Sequence, residues 1–135
     1  MTQFIFFSWQ SSRREGRNLI ERALKIAIEN LSEDAALEQA IRDGLDLDKD
    51  TKNVPGNPPI FDTILAKIDS AAIFVPDLTS VAEREDGQLI PNPNVLIEYG
   101  WALKSIGYHR IVPVMNIGYG DPRTASLPFD MAHLR

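Results

Sequence analysis

Short, almost continuously apolar runs alternate along this chain with amphipathic, helix-patterned stretches, and that alternation predicts an α/β fold: an open parallel sheet of the doubly wound type. Residues 3–9 are almost continuously apolar and residues 71–75 read as a buried strand, as expected for strands covered on both faces of a parallel sheet. Residues 17–31, 60–68 and 93–106 instead repeat apolar positions at helical spacing. A length of 135 residues suits one domain with a real core and is too short for two ordinary ones.

The elements follow in order. Gln3 to Trp9 reads as the first strand, and residues 8–16 as a polar loop. Leu19, Ile20, Ala23, Leu24, Ala27, Ile28 and Leu31 then line one face of a helix, with Arg17, Glu21, Arg22, Lys25 and Glu29 mostly on the other. Residues 35–41 have helical composition, while Ile41, Asp43, Leu45 and Leu47 alternate as in a short second strand. Residues 51–59, rich in Asn, Pro and Gly, form a loop, and Asn57-Pro58 repeats a cap-then-proline signal before the next helix. That helix aligns Ile60, Ile64 and Ile68. After the strand at 71–75, residues 76–91 read as a long polar loop. Asn92 is then a good N-cap and Pro93 suits a first helical position, because its missing N–H has no helical partner there. The helix runs to Ile106, and Gly107 can take the left-handed geometry that stops it. Residues 111–115 are a further strand, and residues 118–126 are turn-rich.

Composition excludes several classes. The apolar fraction of 44% and charged fraction of 24% are those of a globular protein, and no apolar run approaches a membrane span. The first residues lack the basic flank and cleavage site of a signal peptide, so a cytoplasmic protein is expected. With no cysteine there is no disulfide, no thiolate nucleophile and no thiolate zinc site. A formal charge of −5 argues against binding a nucleic-acid backbone or an anionic membrane.

Ligands of such sheets bind beyond the carboxyl ends of the strands. Those ends carry Ser8-Trp9-Gln10-Ser11-Ser12, Asp48-Lys49-Asp50-Thr51, Asp77-Leu78-Thr79 and Asn116. Helix 93–106 starts at the same edge. In it Val95, Tyr99, Ala102 and Ile106 form the buried stripe, and Asn94, Glu98, Trp101 and Ser105 the adjacent one. Glu98 is therefore either a surface carboxylate at the margin of the core or the acid of a cleft. Ser8, Ser11 and Ser12 suit a phosphate or ribose and equally an ordinary loop and cap. Arg13 and Arg14 suit a pyrophosphate and equally solvent. Asp46, Asp48 and Asp50 imitate a calcium loop, but Thr51 and Asn57 stand where glycine and a bidentate glutamate are needed, so no metal is expected. There is no glycine-rich dinucleotide fingerprint and no phosphate-loop lysine.

Taken together, Phe4-Ile5-Phe6-Phe7-Ser8-Trp9-Gln10-Ser11, Asp48-Lys49-Asp50-Thr51 with Val54-Pro55-Gly56-Asn57-Pro58, Ile73-Phe74-Val75-Pro76-Asp77-Leu78-Thr79, the segment 91–100 and Leu127-Pro128-Phe129-Asp130 resemble the Toll/interleukin-receptor (TIR) family in its bacterial nucleotide-binding branch. The resemblance covers nearly the whole chain, and Pro-Asn-Pro-Asn-Val-x-x-Glu-x-Gly is its most specific piece. It implies a flavodoxin-like sheet with helices on both faces and one more strand after residue 130, so a piece of a longer protein is expected. It also implies NAD+ glycohydrolase activity in bacterial antiphage defence, with NAD+ as substrate, no cofactor, and homo-oligomers formed through TIR–TIR contacts. Glu98 matches the family's catalytic glutamate. Ser8, Trp9, Gln10, Ser11, Asp48, Asp77, Asn94 and Trp101 are then the expected nucleotide-binding residues. Many TIR enzymes carry a tryptophan one turn before the glutamate, where this chain has Asn94. Two alternatives stand beside this reading: a non-catalytic TIR module that self-associates or binds a nucleotide, and a nucleoside deoxyribosyltransferase-like enzyme.

Overall fold

A computed structural model describes residues 3–10, 12, 14–34, 44–48 and 60–128. Its elements are β1 (Gln3–Ser8), α1 (Arg14–Ser32), β2 (Leu45–Asp48), α2 (Ile60–Ser70), β3 (Ile73–Pro76), β4 (Ser80–Glu83), β5 (Leu89–Pro91) and α3 (Pro93–Ser105), with 3-10 turns at Tyr108–Arg110 and Ile117–Tyr119. The expected helix at 35–41, the loop 51–59 and the Asn57-Pro58 cap lie outside the described residues.

β1 is the central strand of a parallel sheet ordered β2-β1-β3. Its register sets Phe6 opposite Asp48 and Ser8 opposite Pro76, so the polar ends of all three strands share one edge. The apolar run of β1 is apolar because both faces are covered. Ile5 and Phe7 turn to one side, where with Val75 they meet Ile20, Leu24 and Ile28 of α1. Phe6 turns to the other side and packs with Phe74, Ile68 of α2, and Val95, Tyr99 and Ala102 of α3. The rings of Phe6 and Phe74 stack with centroids 6.2 Å apart. Among the described residues, helices thus cover both faces, with α1 on one side and α2 and α3 on the other.

Two sequence expectations need correction. Residues 76–91 are not simply a polar loop: β4 and β5 pair antiparallel within them. Asp86-Gly87 makes the turn, since Gly87 takes φ +88° and the Asp86 carboxylate accepts from the N–H of Gln88 at 3.1 Å. Residues 111–115 meet β3 through two isolated bridges, Phe74 with Ile111 and Asp77 with Val114, instead of forming a full strand. The N–H groups of Val112 and Val114 donate to the carbonyls of Phe74 and Pro76, and that of Leu78 donates to Val114. The rung between them would need an N–H from residue 76, and Pro76 has none. The segment still takes the strand position on the far side of β3 from β1.

α3 begins as its sequence dictates. The Asn92 side chain accepts from the N–H of Asn94 at 2.9 Å, and Pro93 fills the first helical position. At the far end the N–H groups of Ile106 and Gly107 both reach the Ala102 carbonyl, with Gly107 at φ +81°. Replacing Asn92 by Ala should therefore lower stability by about 1 kcal/mol in urea titrations, while Asn92→Asp keeps most of it. An Asn92→Ala protein as stable as wild type would contradict the cap.

Candidate functional site

The Ser8 hydroxyl, at the last residue of β1, donates to Oε2 of Glu98, on the second turn of α3. Each partner is delivered by its element. β1 ends at the carboxyl edge of the sheet, and the Asn92 cap starts α3 at that same edge. Glu98 then sits between the core stripe of Val95, Tyr99 and Ala102 and the open face of the helix, and is only 8% exposed. Burial pushes its carboxyl above the usual glutamate range, and the Ser8 hydrogen bond pulls it part of the way back. Among the described residues Ser8 is the one hydrogen-bond partner of this carboxyl.

A second buried cluster adjoins the first. The N–H of Asp77 donates to the Ser8 carbonyl at 3.0 Å, so the ends of β1 and β3 are tied together. Asp77 is fully buried, and its Oδ1 accepts from the hydroxyl and the N–H of Thr79 at 2.6 and 3.0 Å. Burial raises the Asp77 carboxyl above its ordinary value, and the two Thr79 bonds oppose the shift. Thr79 also receives the N–H of Asn116 on its hydroxyl at 2.9 Å and the Gln10 side-chain N–H on its carbonyl at 3.5 Å. Three strand-end segments therefore converge on Thr79. Sequence reasoning put Thr79 at the ligand edge without a role; Asp-x-Thr, with the acid accepting from the N–H two residues on, was the available signal.

Of the expected site residues, Ser8, Glu98, Gln10 and Asp77 are thus brought together. Asn94 offers its backbone N–H to the Asn92 cap and leaves its side chain exposed near the start of α3. The Asn92 amide in turn donates to Ser12 at 3.4 Å, linking the first loop to the helix. Asp48 lies at the same sheet edge, but both its oxygens are held by Lys67 at 2.8 and 2.9 Å. Trp9 packs toward α1, with the Arg17 guanidinium 3.9 Å from its ring centre, so one indole face is covered. Trp101 is 42% exposed and its indole N–H donates to Asp69, on the last turn of α2, at 2.6 Å. Ser105 shares that carboxylate, which holds Trp101 toward the opposite end of α3 from the cap. Ser11 and Arg13 lie outside the described residues. The roles of Arg17 and Lys67 had no sequence signal beyond helical placement.

Among the described residues no group of three or more His, Asp or Glu side chains is arranged to hold a metal ion, and no helix is long and apolar enough to cross a membrane. No protein-family model matches the chain, and no curated protein does so. Chemically, the site offers a buried carboxyl against a hydroxyl. Such a group can hold a proton, or, once ionised, stabilise a cation or form a bond to carbon.

The raised pKa of Glu98 has a signed consequence for stability. The folded protein holds this proton more tightly than the unfolded chain, so its contribution is full below the ordinary value of 4.5 and is lost as pH rises through the raised value. Glu98→Gln, which cannot ionise, should therefore lose less stability than wild type in urea titrations as pH rises above 4.5 through the raised Glu98 value. Parallel curves would show that Glu98 is not desolvated.

Proposed function

We propose that this chain is a nucleotide-binding α/β domain of flavodoxin-like order, and more particularly a TIR-type NAD+ hydrolase with Glu98 at the reacting ribose. The observation that carries the reading is the hydrogen bond between Ser8 and Glu98. It joins the first-strand loop and the Pro-Asn-Pro-Asn-Val-x-x-Glu helix, the two segments to which the TIR resemblance assigns sugar binding and catalysis. The sheet order β2-β1-β3, with residues 111–114 beyond β3, is compatible with the flavodoxin-like arrangement.

The chemistry suits the residue. Cleavage breaks the bond between the ribose anomeric carbon and the pyridinium nitrogen, and nicotinamide departs with the bonding electron pair as a neutral molecule. No general acid is required for that departure. Positive charge builds on the ribose, and an ionised Glu98 stabilises it electrostatically or captures the carbon before water does. Water then supplies the hydroxyl of ADP-ribose and releases one proton. Ser8 orients the carboxylate and holds it in the cleft. Assembly through contacts between copies and a role in defence belong to the same proposal.

Purified protein, assayed alone and in enforced oligomers, should release nicotinamide from NAD+, and Glu98→Ala should reduce the rate by about 100-fold or more. Because only the ionised carboxylate stabilises the cation, the rate should rise with pH through the raised Glu98 pKa. Equal turnover in wild type and Glu98→Ala would overturn the assignment. Absence of turnover even in oligomers would favour a non-catalytic nucleotide-binding module.

A further inference from the structure

Two buried acceptor atoms, Oδ2 of Asp77 and Oε1 of Gln10, have no hydrogen-bond partner among the described residues, and Asp77 is tied through Ser8 to Glu98. Asp77 is 0% exposed and Gln10 is 2% exposed. Leaving such groups unpaired is unfavourable, because each has lost its hydrogen bonds to water without gaining a replacement. Both side chains hang on one residue, Thr79, through different atoms. The Asp77 anchor is firm, with two short bonds. Gln10 is held by a single contact of 3.5 Å, at the outer limit of hydrogen-bond length, so exchanging that contact for a better one costs little. A primary amide on a side chain so poorly satisfied inside a protein presents a donor and an acceptor in one plane, and a ligand that offers the reverse pair fits both.

We propose that Gln10 and Asp77 form a subsite for a planar ligand group that carries an N–H₂ donor beside an acceptor, as a primary carboxamide does. Gln10 Oε1 takes one N–H, Gln10 Nε2 donates to the acceptor, and Asp77 Oδ2 takes the other N–H. The amino edge of adenine shares this chemistry. Proximity decides between them: Asp77 is hydrogen-bonded to the backbone of Ser8, whose hydroxyl holds Glu98. A group bound there lies next to the reacting ribose, which makes the carboxamide of the departing nicotinamide the occupant. That identity rests on the NAD+ reading, whereas the subsite itself does not. The subsite makes the protein select for the amide form of the pyridine.

Calorimetric titration of the whole chain tests this without any turnover. The probes are nicotinamide mononucleotide, its acetylpyridine counterpart in which a methyl replaces the NH₂, AMP, and AMP dimethylated on its amino group. Wild type should bind the nicotinamide form about tenfold or more tightly than the acetylpyridine form, since two buried acceptors go unpaired with the methyl ketone. Gln10→Met should shrink the preference to about threefold or less. A like preference for AMP over dimethylated AMP, with none between the pyridines, would support the subsite and assign it to adenine. Equal affinities within both pairs, no binding of any probe, or a preference unchanged in Gln10→Met would overturn it; the wild-type comparison decides even where the variant fails to fold. Hydrolysis of NAD+ without the amide preference would sink the subsite and leave the catalytic reading standing, and the preference without hydrolysis would do the reverse.

Discussion

The hydroxyl of Ser8 and the carboxyl of Glu98 stand 90 residues apart in sequence and meet in one buried hydrogen bond, which depends on the architecture around them. β1 must be central and parallel to its neighbours, so that its last residue reaches the carboxyl edge of the sheet. α3 must start at that edge with a fixed phase, because a helix turns 100° per residue and an error of one position would point Glu98 elsewhere. The Asn92 cap and Pro93 supply the phase. Val95, Tyr99 and Ala102, packed against Phe6 and Phe74, hold it.

The placement works against stability. Desolvating a carboxyl with one hydroxyl partner favours its neutral form, as the raised values of both Glu98 and Asp77 indicate. A site chosen for stability alone would hold apolar side chains or fully paired ones. Instead, Asp77 and Gln10 keep unpaired atoms at the ends of β1 and β3, where the backbone link between Asp77 and Ser8 and the Thr79 bonds hold them in register. Buried carboxyls with raised pKa values beside underpaired polar groups are more often found at functional sites than elsewhere in a fold.

Much of this was legible in the residues. The almost continuously apolar run of β1 and the apolar run of β3 announced strands covered on both faces, and the Asn92-Pro93 signal located the start of α3 to the residue. Glu98 was legible only as one of two readings, because periodicity puts it beside the core without saying how deep it lies. Other features depend on tertiary contact. Trp101 was expected at the site through the TIR resemblance, and its indole N–H is held by Asp69 of α2, a contact that no local pattern announces. Asp48 reached the right edge and was claimed there by Lys67. The hairpin of β4 and β5 had its signal in Asp86-Gly87, hidden by the polar residues around it. Pro76 broke the ladder to residues 111–115 through a missing N–H that no apolar pattern records.

The account stands on Glu98 being a desolvated carboxyl restrained by Ser8, and titration of its side-chain carbon by NMR reads that state directly. Its midpoint should lie above the ordinary glutamate value of 4.5 and should move higher still in Ser8→Ala, where the bond that lowers it is gone. A Glu98 that titrates at the ordinary value and ignores the loss of Ser8 would be a solvated surface carboxylate, and the proposed site would fall with it.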